Sequence, residues 1–205
     1  MSTSADQSEI KSIFKHSSYL VRTKLFRIFG GAFHIYNGNG ELVLYSEQKR
    51  FKIKEDIRLY SDETQKQELL RISTQSIFDI TGAYDVKDSI TEEHIGTLKR
   101  SGLRSTFLRD YWEIVDPAGE KMGHLQEDSI FKALVRRFIE NASFLLPQKY
   151  HISIRDKVVG TYKQRFNPII LKLDVNFSLD ERNQLDRRLG LAGAVLMCVV
   201  EGRQQ

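Results

Sequence analysis

The C-terminal stretch Leu185–Val200 reads LDRRLGLAGAVLMCVV, and its composition decides the fold. From Leu189 onward every residue is apolar or glycine, so a helix here has no polar face and must be enclosed. This run of about twelve residues gives a helix of about 18 Å, whereas about twenty residues are needed to cross a bilayer. The stretch therefore predicts a helix buried inside protein, and the short strands elsewhere in the chain predict a β-barrel around it.

Apolar and polar residues alternate along much of the remaining chain, which is the period of half-buried strands. The sequence Asn-Gly-Asn-Gly at Asn37–Gly40 predicts a hairpin, because both residue types tolerate positive φ. A helix over Glu63–Leu70 is an alternative, but the isoleucines and phenylalanine that follow favour strand. The strands are predicted at Tyr19–Ile28, Phe33–Tyr36, Leu42–Tyr45, Phe51–Tyr60, Glu68–Thr74, Ser76–Val86 and Ile169–Phe177.

Three segments repeat one pattern, in which a tyrosine-led strand is followed, after turn residues, by a glycine that directly succeeds an apolar residue. The pairs are Tyr84 with Gly96, Tyr111 with Gly123, and Tyr150 with Gly160. Glycine at this place in a strand fits a bend or a close backbone approach. The hairpin at Phe33 is a looser fourth copy without the glycine. Repeated hairpins predict a curved antiparallel sheet.

Two further helical features are predicted. In Asp128–Phe144 apolar residues recur at i, i+3, i+4 and i+7, which predicts a helix inserted on the surface of the sheet. The sequence Ser-Leu-Asp-Glu at Ser178–Glu181 matches the capping box that begins a helix. The final helix is therefore predicted to begin there, and its charged first two turns, Glu181–Arg188, are predicted to protrude.

Composition predicts one globular domain over residues 19–205, after a disordered leader over residues 1–18. The formal net charge is +4, from 31 basic and 27 acidic residues that are intermixed, and the isoelectric point is near 9.1. The leader lacks the apolar core of a signal peptide, so a cytoplasmic location is expected, with peripheral contact to a membrane as an option. The single cysteine, Cys198, lies in the apolar run and is expected to be buried rather than reactive.

The sequence contains no complete motif for catalysis or metal binding. The sequence Ser46–Lys49 matches S-x-x-K without its companion motifs, and the five histidines lack the spacing of metal ligands. Oxygen-bearing residues alternate from Asp174 to Asp180, but Leu179 and Leu185 occupy the glycine and glutamate positions of a calcium loop. No catalytic residue, metal or cofactor is therefore expected.

The chain resembles the tubby-like superfamily, namely the LURP-one-related proteins and the phospholipid scramblases, and more remotely the tubby C-terminal domain. The resemblance rests on Phe51–Ile57, Tyr84–Val86 with Ile95-Gly96, Asp110–Ile114, Gly123–Asp128 and Leu185–Leu189. It implies a closed barrel of about twelve antiparallel strands around the C-terminal helix. Tubby domains bind phosphoinositides through a cationic groove, and scramblases are linked to calcium and membranes. The cysteine- and proline-rich N-terminal region of scramblases has no counterpart here.

The leading hypothesis is a non-enzymatic binding module that contacts anionic lipid headgroups, such as those of phosphoinositides, through basic surface residues. The alternative is a structural or regulatory domain that binds another protein. An enzyme with an unrecognised site ranks third, and nucleic acid is disfavoured because no nucleic-acid motif is present. Each basic cluster can also serve only to keep a strand edge soluble. The candidate ligand-binding residues form three clusters: Lys49, Arg50, Lys52 and Lys54; Lys99, Arg100 and Arg104; Arg136 and Arg137.

Overall fold

Twelve antiparallel strands close into a barrel in the computed structural model, which describes residues 10–24, 31–48, 56–74, 82–101, 111–128, 148–165, 167 and 170–201. Each strand pairs with the next along the chain, and β12 pairs with β1 to close the ring. The predicted barrel is therefore confirmed. The strands are β1 (Ser18–Lys24), β2 (Gly31–Asn37), β3 (Leu42–Gln48), β4 (Asp56–Tyr60), β5 (Glu68–Thr74), β6 (Ala83–Asp88), β7 (His94–Ser101), β8 (Tyr111–Val115), β9 (Lys121–Glu127), β10 (Lys149–Ile154), β11 (Lys157–Arg165) and β12 (Ile170–Asn176).

The C-terminal helix, Arg187–Glu201, fills the barrel. It contacts β1 and β12 on one side of the ring and β6 and β7 on the other. Its side chains from Leu189 to Val199 are at most 3% exposed wherever they are apolar, and Cys198 is buried among them. The predicted enclosure of this helix is confirmed, because a helix without a polar face finds apolar neighbours on every side.

Glycines in this helix let the surrounding side chains approach its backbone. A Cβ on Gly193 would lie 2.9 Å from the hydroxyl oxygen of Tyr162, and one on Gly190 would lie 2.6 Å from Cζ of Phe177. The Tyr162 hydroxyl also donates a hydrogen bond to the carbonyl oxygen of Gly190. A larger residue at either position would require the Tyr162 or Phe177 side chain to shift, so the two glycines allow these rings to pack directly on the helix.

The start of this helix differs from the prediction. Ser178–Asp186 forms turns, and the helix begins at Arg187. The buried carboxylate of Asp180 accepts hydrogen bonds from the amides of Gln184 and Leu185, which holds this segment in a compact loop. Asp186, not Ser178, acts as the N-cap, because its Oδ1 accepts the amide of Arg188 at 2.8 Å. The predicted capping box is therefore wrong, and so is the predicted helix over Glu181–Asp186, whereas Arg187 and Arg188 are helical.

The charged residues at the helix start do not protrude either. The Arg187 side chain is 12% exposed and binds the fully buried carboxylate of Asp180 at 2.7 Å. The Arg188 side chain is 21% exposed and binds Asp88 at 2.7 Å and Asp186 at 2.6 Å. Charged side chains that form ion pairs can be partly buried against the barrel.

Five hairpins, β2–β3, β4–β5, β6–β7, β8–β9 and β10–β11, each carry a β-bulge in the second strand. At each bulge, one apolar residue of the second strand lies between two paired residues and has no partner in the ladder. Bulges increase strand twist and so help a sheet to close. The predicted glycine repeat marks three of these places, and the looser copy at Phe33 and the β4–β5 hairpin complete the set. The skipped residues are Val43, Leu69, Ile95, Met122 and Val159.

The turns of the five hairpins, residues 38–41, 61–67, 89–93, 116–120 and 155–156, lie at one end of the barrel, which we call the turn end. Part of the predicted leader packs there. Residues 10–13 are helical, and Ile10, Ile13 and Phe14 pack against the core because their i, i+3, i+4 spacing places them on one face. The Tyr19 hydroxyl donates to the carbonyl oxygen of Ile13. Residues 10–18 of the predicted leader are therefore part of the described structure, and residues 1–9 lie outside it.

Some predicted elements fall on residues outside the described ranges. The inserted helix over Asp128–Phe144 does so from position 129 onward, as do the first half of the Phe51–Tyr60 strand and residues 76–81 of the Ser76–Val86 strand. The predicted strand at Glu68–Thr74 is confirmed at the same bounds as β5, in place of the helical alternative.

Candidate functional site

The lysine and arginine residues of the described strands are concentrated on one side of the barrel. Strands β10, β11, β12 and β1 are neighbours in the ring, and together they contain seven lysine or arginine residues against one carboxylate, Asp174. Side chains alternate between the two faces of a strand, and the inward partners, such as Tyr150, Tyr162 and Leu173, are buried. The outward basic residues form what we call the cationic face: Lys149, Lys163, Arg165, Lys172 and Arg22.

The register of the sheet places like charges directly opposite one another on this face. Lys149 pairs with Lys163 across β10 and β11, and Lys172 pairs with Arg165 on one side and with Arg22 on the other. Directly opposed like charges destabilise a sheet. These like-charge pairs are unfavourable in the isolated protein, although Lys163 also lies opposite Asp174, and an anion bound across them would relieve the repulsion.

Partial compensation comes from Asp174 and from an aromatic ring. The Asp174 carboxylate accepts two hydrogen bonds from Arg165, at 2.6 and 2.7 Å, and this contact raises the pKa of the Arg165 guanidinium. The Arg22 guanidinium lies 5.6 Å from the centroid of the Tyr36 ring, within reach of a cation–π interaction. One carboxylate leaves the face with a clear positive excess.

A histidine paired with an acidic residue lies at each border of the cationic face. His34 is directly opposite Arg22, and its Nε2 is 2.9 Å from a carboxylate oxygen of Glu63. On β10, His151 Nε2 is 3.2 Å from a carboxylate oxygen of Asp128. The two acidic residues thus place negative charge at the borders of the cationic face.

A small pocket opens between the barrel wall and the helix beneath the cationic face. It has space of about 10 Å³, enough for about one water molecule. The Tyr150 hydroxyl donates to Oε1 of Gln148 at 2.5 Å beside it. The pocket is too small for a cofactor, so the surface rather than the interior is the candidate site here. Its lining residues are Gln148, Tyr150, Gln164, Leu171, Leu173, Met197 and Cys198.

Of the predicted basic residues, only Lys99 and Arg100 are described, and they do not lie on this face. Lys99 is exposed and Arg100 half-buried on β7, which lies six positions from β1 around the twelve-strand ring. Arg100 lies 6.0 Å from the centroid of the Trp112 ring. The two residues therefore lie on the opposite side of the barrel from β1. The other candidates lie outside the described residues: Lys49, Arg50, Lys52, Lys54, Arg104, Arg136 and Arg137.

The cationic face was missed because its members do not form a basic run in the sequence. They lie on four different strands, and only the register of β1, β10, β11 and β12 brings them together. A search for outward basic residues in consecutive strands, instead of for runs of basic residues, would have found Lys163, Arg165 and Lys172.

A hydroxyl, a histidine and a carboxylate, the residue types of a catalytic triad in hydrolases, also meet on the outer surface of β6 and β7. Their hydrogen bonds, however, are not those of a triad. The Thr97 hydroxyl donates to Oδ1 of Asp85 at 2.7 Å. His94 Nε2 lies 3.4 Å from the Thr97 oxygen and 3.5 Å from Asp85. Since the hydroxyl hydrogen is held by the carboxylate, the imidazole is not placed to remove it. Activation of a nucleophile needs the opposite arrangement.

Two other kinds of feature are absent from the described ranges. No helix in that part of the chain is long and apolar enough to cross a membrane. Over the same residues, no group of three or more histidine, cysteine, aspartate or glutamate side chains could hold a metal ion.

Comparison with known proteins adds the family. No curated protein sequence matches the chain. Among solved structures, the chain is similar to an Arabidopsis thaliana protein determined by X-ray crystallography, with 9% identity, coverage of 92% of each chain and a TM-score of 0.48. The family model described as LURP-one-related matches residues 42–198. This match spans most of the barrel and its central helix, and the chain therefore belongs to the LURP-one-related family of the tubby-like superfamily.

Proposed function

We propose that this protein is a non-enzymatic binding module whose cationic face contacts anionic lipid headgroups at a membrane surface. The observation that carries the proposal is the chain of opposed like charges, Lys149 with Lys163 and Arg165 with Lys172 and Arg22. Such pairs lower the stability of the isolated sheet. An anionic surface in contact with both members of such a pair attracts them and offsets their mutual repulsion.

The size of the effect follows from general electrostatics. Each lysine or arginine held near an anionic bilayer contributes about 1 kcal/mol, which is about fivefold in affinity. The attraction reaches about one Debye length, or about 8 Å at physiological salt, so the basic residues must lie close to the headgroups. Neighbouring strands are about 5 Å apart, and the four strands of the cationic face therefore present their charges to one patch of membrane.

A binding role is also favoured over a catalytic one by the arrangement on β6 and β7. The Thr97 hydroxyl is engaged with Asp85, and His94 lies beside both without being placed as a base. The cluster is accounted for as a hydrogen-bonded cross-strand contact, since Asp85 and Thr97 are directly opposite in the ladder.

Vesicle co-sedimentation tests the proposal. The double variant Lys149→Gln, Lys163→Gln removes two charges from the cationic face, and Lys99→Gln removes one exposed charge from β7 as the control. With phosphatidylcholine vesicles that contain phosphatidylserine or a phosphoinositide, we expect the double variant to lose about 25-fold in affinity and the control to bind like wild type. Binding of wild type should weaken as salt is raised.

Two results would overturn the proposal. One is a wild-type protein that does not bind these vesicles even at low salt. The other is a loss of affinity in Lys99→Gln equal to that of the double variant. Binding would then depend on the total charge of the protein and not on the cationic face. In the first case, stoichiometric recovery of one acidic protein in a pull-down that fails with the double variant would favour a protein-interaction domain.

A further inference from the structure

Two exposed aliphatic side chains lie at one end of the cationic face. Leu179 is 58% exposed and Val158 is 43% exposed. Val158 stands three residues before Thr161, which pairs with Asn176, and Leu179 stands three residues after Asn176. Both side chains therefore lie at the turn end of the β11–β12 pair, the two strands that carry Lys163, Arg165 and Lys172.

We propose that Val158 and Leu179 insert into the boundary between headgroups and acyl chains of the membrane that the cationic face contacts. This inference rests on the proposed function and makes it more specific, because it commits the ligand to an intact bilayer instead of a free headgroup. Charge alone holds a protein at the outer plane of the headgroups, whereas apolar side chains fix its depth and orientation.

The local charges support insertion at this place. Arg155, Lys157 and Arg182 are exposed beside Val158 and Leu179, as are the acidic Asp156 and Glu181, so the basic residues are in excess by one. Their cationic heads can stay with the lipid phosphates while the aliphatic stems follow the apolar side chains inward. Peripheral proteins gain stable attachment when a polybasic surface is combined with a second, apolar signal, and apolar groups then enter the bilayer by about 5–10 Å.

The geometry lets both signals act together. Val158 and Lys163 lie on one strand, and five residues at about 3.3 Å each separate them by about 16 Å. A side of the barrel laid along the membrane can therefore bring the cationic face to the headgroups while Val158 and Leu179 reach them at the turn end.

Single exposed aliphatic residues are common and need no explanation, so the contrast with a third one matters. Ile90 is 37% exposed in the β6–β7 turn, on the other side of the ring. Its neighbours are acidic, since Asp88, Glu92 and Glu93 surround it in the sequence. An anionic membrane would repel that turn. Ile90 is thus a matched control, similar in exposure and opposite in its charged surroundings.

The test compares a bilayer with a soluble polyanion. The probes are vesicles of phosphatidylcholine and phosphatidylserine in a ratio of about four to one, and inositol hexakisphosphate in solution. The double variant Val158→Ser, Leu179→Ser should lose at least about tenfold in affinity for the vesicles, because serine gives up most of the apolar surface that would be buried. Its affinity for inositol hexakisphosphate should stay that of wild type, and Ile90→Ser should match wild type with both probes.

A second measurement reads insertion directly. In Leu179→Trp the new indole should shift its fluorescence to shorter wavelength and become protected from acrylamide when vesicles are added, and it should do neither with inositol hexakisphosphate. The native Trp112 is 1% exposed and supplies a constant background. Wild-type affinity for vesicles in the serine double variant, or an indole signal in Leu179→Trp that vesicles leave unchanged, would overturn the insertion and leave the proposed function standing. Failure of wild type to bind the vesicles even at low salt would overturn the proposed function itself.

Discussion

Gly123 lies where two neighbouring strands leave no room for a side chain. A Cβ on this residue would be 2.1 Å from the carbonyl oxygen of Ser153 and 2.7 Å from Cδ1 of Ile154. The first neighbour is backbone of β10, so the strands must separate to accept a methyl group. We expect Gly123→Ala to lower the free energy of unfolding by about 1–3 kcal/mol, the usual effect of overpacking, as measured by urea titration.

The matched control is Gly119 in the turn that joins β8 to β9. Its φ is +89°, and a Cβ there would meet nothing within 4 Å. Asparagine tolerates the left-handed region, so Gly119→Asn should change the free energy of unfolding by less than about 1 kcal/mol. If Gly123→Ala were as stable as Gly119→Asn, the close approach of β9 and β10 would not limit the residue at this position.

At the scale of elements, the start of the C-terminal helix is tied to the β6–β7 turn by Arg188 and Asp88. Burial opposes ionisation of Asp88, but the amides of Thr91 and Ile90 and the Arg188 guanidinium outweigh it and lower the pKa of this carboxyl. A lowered pKa means that the ionised form stabilises the folded state. This stabilisation is present above the ordinary aspartate pKa of about 4 and is lost as pH falls through the lowered value.

We therefore expect Asp88→Asn to reduce stability at pH 7 by about 1–2 kcal/mol and to flatten the loss of stability below about pH 4. The measurement is the free energy of unfolding in urea at several pH values. Asp116→Asn is the control, because Asp116 caps the equivalent β8–β9 turn by accepting the amide of Glu120 and has no arginine partner among the described residues. An acid-induced loss as steep in Asp88→Asn as in wild type would contradict the role of this ion pair.

The elements also show where sequence patterns succeed. The glycine that follows an apolar residue predicted a bend at Gly96, Gly123 and Gly160, and each is the residue after a β-bulge. The capping box at Ser178–Glu181 failed for an equally local reason. Asp180, inside the box, is buried and binds the amides of Gln184 and Leu185 and the Arg187 side chain. Those contacts need the folded barrel, and no pattern of four residues contains them.

For the whole molecule, the sequence predicted the enclosure but not the site. The all-apolar helix and the alternating strands are properties of single segments, so periodicity was sufficient to predict a barrel around a helix. The cationic face depends on which strands are neighbours and on their register. Arg22 and Lys172 are far apart in the chain and become adjacent only because β12 closes the ring against β1. Basic residues that become neighbours only when the barrel closes do not form a basic run in the sequence, so a search for such runs does not detect them.

Over the described residues, the junction between β3 and β4 is the most weakly paired of the ring, and we call it the seam. Its ladder there contains a single pair, Tyr45 with Tyr60, whereas β1 and β12 share seven pairs. Few hydrogen bonds hold the two strands together, so the amides of β4 that face β3 should exchange with solvent through local opening. The amides of the enclosed helix from Leu191 to Val199 should exchange only on global unfolding, because the barrel must open to admit water.

Native-state hydrogen exchange at increasing urea distinguishes these two classes. Amides of β4 that face β3 should be nearly insensitive to low urea, since local opening exposes little surface, whereas the helix amides should follow the full urea dependence of unfolding. Amides shared by β1 and β12 provide the internal reference for a well-paired junction. Helix amides that exchanged at low urea as readily as those of the seam would mean that the barrel does not enclose the helix, and the hairpins would then need another core to close around.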